Sequence, residues 1–257
     1  MKIGKLLFLS CIFSGTLLSQ AQAETVRIGI ATEAYPPFSV PNSAGNYTGW
    51  EIDITNAICT EANLKCEFVA TSWDGIIPSL IREKIDVIAA SLSITDERSK
   101  VIDFSEKYYQ TGASLAIASG SDIAATSKGV SGFKIGVQSG SIHQSYALKH
   151  FKGATIKEYQ TQDEANQDLF SGRVDATLAD ALVLEGFLKS NEGNLCCSSA
   201  GLVKYDEILL GKGIGFGLRK GNDELKTQLN SAINAIRKSG EYDKITQKYF
   251  EFNIYGN

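Results

Sequence analysis

The sequence predicts an α/β fold of two lobes, each a doubly wound and mainly parallel sheet, and three observations carry that prediction. Short apolar strands alternate with amphipathic helical stretches from Thr25 to Ala90. The same alternation starts afresh after Tyr108–Gly112 and runs through Asp180. A glycine-punctuated strand, Leu209 to Arg219, then returns to the first unit ahead of a long amphipathic helix. The first unit is therefore discontinuous and the second is inserted in it. The expected organisation is residues 24–109 with 213–257 as lobe 1, 114–203 as lobe 2, and 110–113 and 204–212 as two hinge crossings.

Ahead of the first strand, Lys2 and Lys5, a mostly apolar run from Leu6 to Leu18 and the triplet Ala21-Gln22-Ala23 have the form of a secretory signal, residues 1–23. Thr25–Ile30 is the first strand. Pro36 and Pro37 force the next segment out of helix and sheet, so Glu33 and Tyr35 sit on a rigid loop at the strand's carboxyl end. Asn42–Gly49 is a polar turn of hairpin type, Ile52–Asn63 an amphipathic helix and Cys66–Ala70 the second strand. Ser72-Trp73-Asp74-Gly75 follows, then a helix that turns Ile77, Leu80 and Ile81 inward. Val87–Ala90 is a buried strand running into the hydroxyl-rich turn Ser91–Thr95 and the helix opening Asp96-Glu97-Arg98.

In the second unit, Ser114–Ala118 is an extended crossing, Lys134–Val137 and Thr155–Tyr159 are strands, and Glu164–Phe170 is a helix. Asp175–Ala179 is a strand with Asp180 at its end, before the helix Ala181–Leu188. Ser139-Gly140-Ser141-Ile142-His143 is a glycine turn opening a helix, without the GxGxxG or P-loop lysine of a nucleotide site. Asp223–Lys238 has the strongest helical period: Leu225, Leu229, Ala232, Ile233 and Ile236 share a face, and Gly240 supplies the cap. A last helix carries Tyr242, Ile245 and Tyr249.

Charge narrows the partners. The formal net charge is −4, and loss of Lys2 and Lys5 with the leader makes the remainder more acidic. Such a chain, with no basic stripe, argues against nucleic acid. The two histidines, His143 and His150, lack metal-ligand spacing, so neither metal nor cofactor is expected. Cys59 and Cys66 join a helix end to a strand start and read as a disulfide in an oxidising compartment. For Cys196-Cys197 three states stay open: a strained vicinal disulfide, two free thiols, or an intermolecular bridge.

Ligands of open α/β sheets collect beyond the carboxyl ends of the strands, where Glu33, Tyr35, Trp73 and the Ser91–Arg98 turn fall. Backbone amides and hydroxyls beside one guanidinium suit a small carboxylate, because arginine offers both oxygens a planar fork. Each residue also has a plainer reading. Arg98 could pair with Glu97 or Asp96, Trp73 could fill core, Tyr35 could cover the proline turn, Asp180 could cap a helix, and Glu33 could be a solvated carboxylate.

The motifs TVRIG, AYPPF, GWEIDI, IIPSL, SLSITDER, IDFSEKYY, GRVDATLAD, EGFLK, GIGFGLRK and YDKITQKYFEFNIYG, with the Cys59/Cys66 pair, span nearly the whole chain after the leader. On them the chain resembles the periplasmic polar-amino-acid-binding proteins of ABC importers, in particular the lysine/arginine/ornithine- and histidine-binding group. SLSITDER with IDFS is the specific signal. The resemblance implies a type II periplasmic-binding-protein fold with a two-stranded hinge. It also implies a monomeric, non-enzymatic receptor in the periplasm that closes on a polar, cationic amino acid and delivers it to a membrane permease. By resemblance, Arg98, Ser91 and Ser93 take the ligand's α-carboxylate, with Ser141 and Ile142 approaching from the other lobe. Asp180 takes the ammonium, and Tyr35 and Trp73 flank the side chain. Glu33 answers a cationic far end, Ala90 stands where relatives often carry serine, and His143 replaces a glutamine of some members. An alternative on the same fold is an exported cyclohexadienyl or arogenate dehydratase. It needs a carboxyl group protonated near neutral pH, for which Glu33 is the candidate beside Asp180.

Overall fold

A computed structural model describes residues 25–256; the secretory leader expected over residues 1–23 lies outside them. The first half comprises β1 Thr25–Ala31, β2 Val40–Pro41, β3 Tyr47–Thr48, α1 Trp50–Glu61, β4 Lys65–Thr71, α2 Ile76–Ile81, β5 Val87–Ile88, β6 Asp103–Tyr109 and β7 Ala113–Ala118. There follow β8 Lys134–Gln138, α3 Ile142–His150, β9 Thr155–Tyr159, α4 Gln162–Phe170, β10 Ala176–Asp180, α5 Ala181–Lys189, α6 Asn191–Cys196 and β11 Cys197–Leu202. The chain closes with α7 Glu207–Leu210, β12 Ile214–Leu218, α8 Asp223–Ser239 and α9 Glu241–Thr246.

Two five-stranded sheets result, ordered β4-β1-β5-β12-β6 and β11-β7-β10-β8-β9. In the first, β1 is parallel to β4 and β5, and β12 is antiparallel to both β5 and β6. In the second, β8 is parallel to β9 and β10, and β7 is antiparallel to β10 and β11. Each sheet thus has four strands running one way and one reversed. The reversed strand is in each case the one the chain forms on arriving from the other sheet. The two crossings leave and rejoin the first sheet side by side, since Tyr109 and Ile214 are register partners.

The core of the first sheet is aromatic. Phe38 stacks on Tyr109 with centroids 4.9 Å apart, Tyr108 on Phe216 at 4.4 Å, and Trp50 meets Tyr109 edge-on at 5.0 Å. The one polar atom of the Trp50 side chain is satisfied, its indole N–H reaching the Thr246 hydroxyl at 3.1 Å. α8 seals this core with the five apolar residues its period predicts, and Gly240 ends it in the left-handed region at φ 82°. Val183 of α5, from the second sheet's layers, packs into this same cluster. The second sheet has its own aliphatic core around Leu115, Ile135, Val137 and Leu178.

Several elements differ from expectation. Ile81 is 53% exposed, because α2 is a short helix that buries Ile76 and Leu80 four residues apart and leaves the next position facing out. β6, α6 and β11 fall where no element is predicted. The return strand begins at Ile214 rather than Leu209, because Asp206 accepts from the Ile208 and Leu209 amides and caps α7 there. Tyr249 lies beyond the end of α9. Cys59 is bonded to Cys66 across the α1–β4 junction, and Cys196 to Cys197 across the α6–β11 junction. Among the described residues no helix is long and apolar enough to cross a membrane.

Candidate ligand-binding cleft

The carboxyl ends of strands from both sheets converge on a cleft of about 900 Å³, part of it open to solvent. Glu33, Tyr35, Trp73, Ala90, Ser91, Ser93 and Arg98 border it from the first sheet's side, and Ser141, Ile142, His143 and Asp180 from the second's. Every site residue singled out in the sequence therefore reaches one cavity.

On the first side, Glu33 follows β1 and accepts from the Trp73 amide at 3.3 Å through Oε1, while its Oε2 is buried without a partner. It is not a solvated loop carboxylate. Tyr35 is fixed by paired backbone bonds with Ser39, N to O 2.7 Å one way and 3.1 Å the other. Burial, then the Asp180 and Glu51 carboxylates, push its hydroxyl pKa well up, so it stays a neutral phenol. Trp73 opens a 3₁₀ turn, Trp73–Gly75, and the Arg98 guanidinium carbon lies 5.5 Å from the centre of its ring.

The serine turn is tightly held. Arg98 donates through Nη1 to the Ser93 carbonyl at 3.1 Å, and its amide donates to Thr95 Oγ1 at 3.2 Å. Burial lowers the Arg98 pKa to about 10, which still leaves it cationic. It does not pair with Asp96, whose partner is Lys212. Ser91 adopts φ 50°, in the left-handed region, with its amide and hydroxyl both donated to Glu51.

From the second side, Ser141 caps α3: its Oγ accepts from the Gln144 amide at 3.1 Å and donates to the Gln138 carbonyl at 2.7 Å. Helix geometry leaves the Ile142 and His143 amides outside the helical ladder, where they can serve an anion. Burial, followed by the Arg98 charge, pulls the His143 pKa to about 3, so the imidazole is neutral. Asp180 ends β10. It accepts from the Leu182 amide at 2.9 Å and from the Thr111 hydroxyl, and burial raises its pKa to about 6. It is both the cap of α5 and a wall of the cleft.

Sequence reasoning missed Glu51, Ser39, Gln110, Thr111 and Tyr205, which also line the cavity. For Glu51 a signal existed: residues 51, 55 and 58 follow the i, i+4, i+7 spacing of the buried face of α1, all three being buried. With Glu33, Glu51 and Asp180 against Arg98, acids outnumber bases along the walls, which favours a ligand carrying positive charge beyond a single carboxylate.

The description of bacterial extracellular solute-binding proteins, family 3, matches residues 26–252. The chain belongs to that family. This solute-binding protein is 41% identical over 240 residues to the L-arginine-binding protein of Pseudomonas aeruginosa, with 92% of each chain covered. To the lysine/arginine/ornithine-binding periplasmic protein of Escherichia coli it is 42% identical over 240 residues, again with 92% of each covered. Among solved structures, an ancestral arginine-binding protein bound to glutamine matches with a TM-score of 0.80 at 36% identity, covering 89% of this chain and 98% of that one. These relatives are named as binding proteins rather than enzymes.

Proposed function

We propose that the protein is a periplasmic receptor that captures a cationic L-amino acid of the arginine, lysine, ornithine or histidine class by cleft closure and delivers it to an ABC permease. The observation that carries this reading is that Arg98 and Asp180 border one cleft from different sheets. A guanidinium for the α-carboxylate and a carboxylate for the α-ammonium are then brought together by closing the lobes. Lobe 1 is residues 24–109 with 213–257, lobe 2 is 114–203, and 110–113 with 204–212 are the hinges. Ser93, with the Ser141 and Ile142 turn, completes the carboxylate site. Tyr35 and Trp73 flank the aliphatic stem, and Glu33, with one buried oxygen unpartnered, meets the distal cation. His143 and Ala90 shape the side-chain pocket.

Contacts from lobe 2 are made only in the closed form, so ligand shifts a hinge equilibrium and the permease reads the closed shape. One chain supplies both walls, so a monomer suffices, and the acidic composition offers nucleic acid no footing. We read the protein as non-enzymatic. Dehydration of the prephenate type needs a free carboxylic acid to deliver a proton; Asp180 is engaged by Thr111 and Leu182, and Glu33, held by the Trp73 amide, is given in this reading to the ligand's distal cation. Formation of phenylpyruvate from prephenate would overturn that exclusion.

The test is a thermal-shift and calorimetric screen over the amino acids. A cationic amino acid at a hundred times its Kd should raise apparent stability by about 3 kcal/mol. The receptor reading fails if no amino acid shifts the transition, or if Arg98→Ala and Asp180→Ala leave the shift intact.

A further inference from the structure

Glu51, at the start of α1, has no part in the reading above, yet its carboxylate lies directly behind the serine turn. It is 1% exposed, and its three partners are all neutral donors. The Ser91 amide reaches Oε1 at 2.7 Å, the Ser91 hydroxyl reaches Oε2 at 3.1 Å, and the Tyr108 hydroxyl donates to Oε1. A serine hydroxyl has one proton and two lone pairs. With that proton given to Glu51, the Ser91 oxygen can face the cleft only as an acceptor. The left-handed backbone at Ser91, which a non-glycine residue adopts at a cost, is fixed by the same carboxylate through the amide. Ser91, Glu51 and Asp180 all line the one cleft.

We propose that Glu51 is a positioning residue for specificity: it makes the Ser91 hydroxyl an obligate acceptor and reserves that wall of the cleft for the ligand's α-ammonium. This revises the carboxylate role that resemblance gives the Ser91 side chain and leaves the carboxylate to Arg98, Ser93 and the α3 turn. It rests on the receptor reading above.

Glu51→Gln keeps the shape of the side chain. Its amide oxygen still accepts from the Ser91 amide and from Tyr108, but its NH2 donates to Ser91 Oγ and turns the serine proton toward the ligand. Titration with L-arginine should show binding weakened roughly ten- to a hundredfold, the range for a hydrogen bond to a charged group. In a Ser91→Ala background the same change should have little further effect. An equal loss in both backgrounds would mean that Glu51 acts through charge or folding alone, and overturns the proposal. Should Glu51→Gln not fold, Ser91→Ala alone decides: unchanged affinity for L-arginine overturns the proposal, and a loss of about tenfold or more supports it. If the unmutated protein does not bind L-arginine, the titration uses whichever of lysine, ornithine or histidine it does bind, and failure to bind any of these amino acids would count against the receptor reading instead. Infrared difference spectra, unmutated protein minus Glu51→Gln, then judge the inference without ligand. An ionised carboxylate band at neutral pH supports it, and a protonated carbonyl band overturns it.

Discussion

Arg98 and Gly140 stand on opposite walls of the cleft and meet across it, the Arg98 Nη2 lying 3.5 Å from the Gly140 carbonyl oxygen. Gly140 adopts φ 67°, and a Cβ there would lie 3.5 Å from Trp73 Nε1 and from Asp74 Oδ1. The second lobe's glycine turn thus rests on a platform made by Trp73 and Arg98 of the first. In the receptor proposed above, one side chain would serve both the ligand and the closed geometry.

Arg98→Lys tests that double role. It keeps the charge but loses the planar fork, so L-arginine affinity should fall about tenfold or more. Small-angle scattering of the ligand-free variant should show a larger radius of gyration as the cross-cleft bond is lost. An unchanged radius would limit Arg98 to ligand contact.

The pH dependence follows from Asp180. Its folded-state pKa is raised by burial to about 6, against about 4 in an unfolded chain. With the folded value the higher, the stability this group contributes is fully present below about pH 4 and is lost as pH rises through 6. Binding runs the other way, because an ammonium needs the carboxylate. Affinity should fall below pH 6 by up to about tenfold per unit, with proton release on binding near pH 6. His143, held at about 3, stays neutral across this window. Calorimetry in buffers of different ionisation enthalpy checks it, and Asp180→Asn should flatten the profile.

Glu33→Gln should discriminate among ligands. If the buried Oε2 serves a distal cation, arginine and lysine should weaken about tenfold and glutamine hardly at all, since an ionic hydrogen bond becomes a neutral one. Equal losses for arginine and glutamine would remove Glu33 from the distal site.

Away from the cleft, Asp86 accepts from the Arg27 backbone and guanidinium and from Arg219 Nη2. Against the cost of burial, these bonds pull its pKa to about 2. The resulting stability is present above about pH 4 and lost as pH falls toward 2, so Asp86→Asn should cost about 2 kcal/mol at neutral pH by urea unfolding. Ligand affinity should not change, because Asp86 precedes β5 and the serine turn follows it.

Much of the site was legible because strand-end logic and motif resemblance select the same residues. Tyr35, Trp73 and Arg98 each sit just past an apolar run, where a parallel sheet exposes its ligands. What escaped did so for physical reasons. β6, Asp103–Tyr109, breaks its alternation at Ser105-Glu106, so it does not read as a strand, although Tyr108 and Tyr109 are fully buried. β11 is an edge strand of small and polar residues, with little apolar pattern to detect. Thr111 gains its place only through the crossing that brings it to Asp180. Glu51 was visible in helical period but masked by its chemistry, since a carboxylate in a first helical turn is ordinarily read as a dipole partner facing water.

Tyr109 and Ile214 face each other on neighbouring antiparallel strands, so the whole intervening polypeptide is a cassette plugged into one socket. A tight hairpin between β6 and β12 can replace it without altering any ladder of the remaining sheet. The remaining sheet would keep Arg98 and lose Asp180, a half-receptor able to grip an acid without its amine.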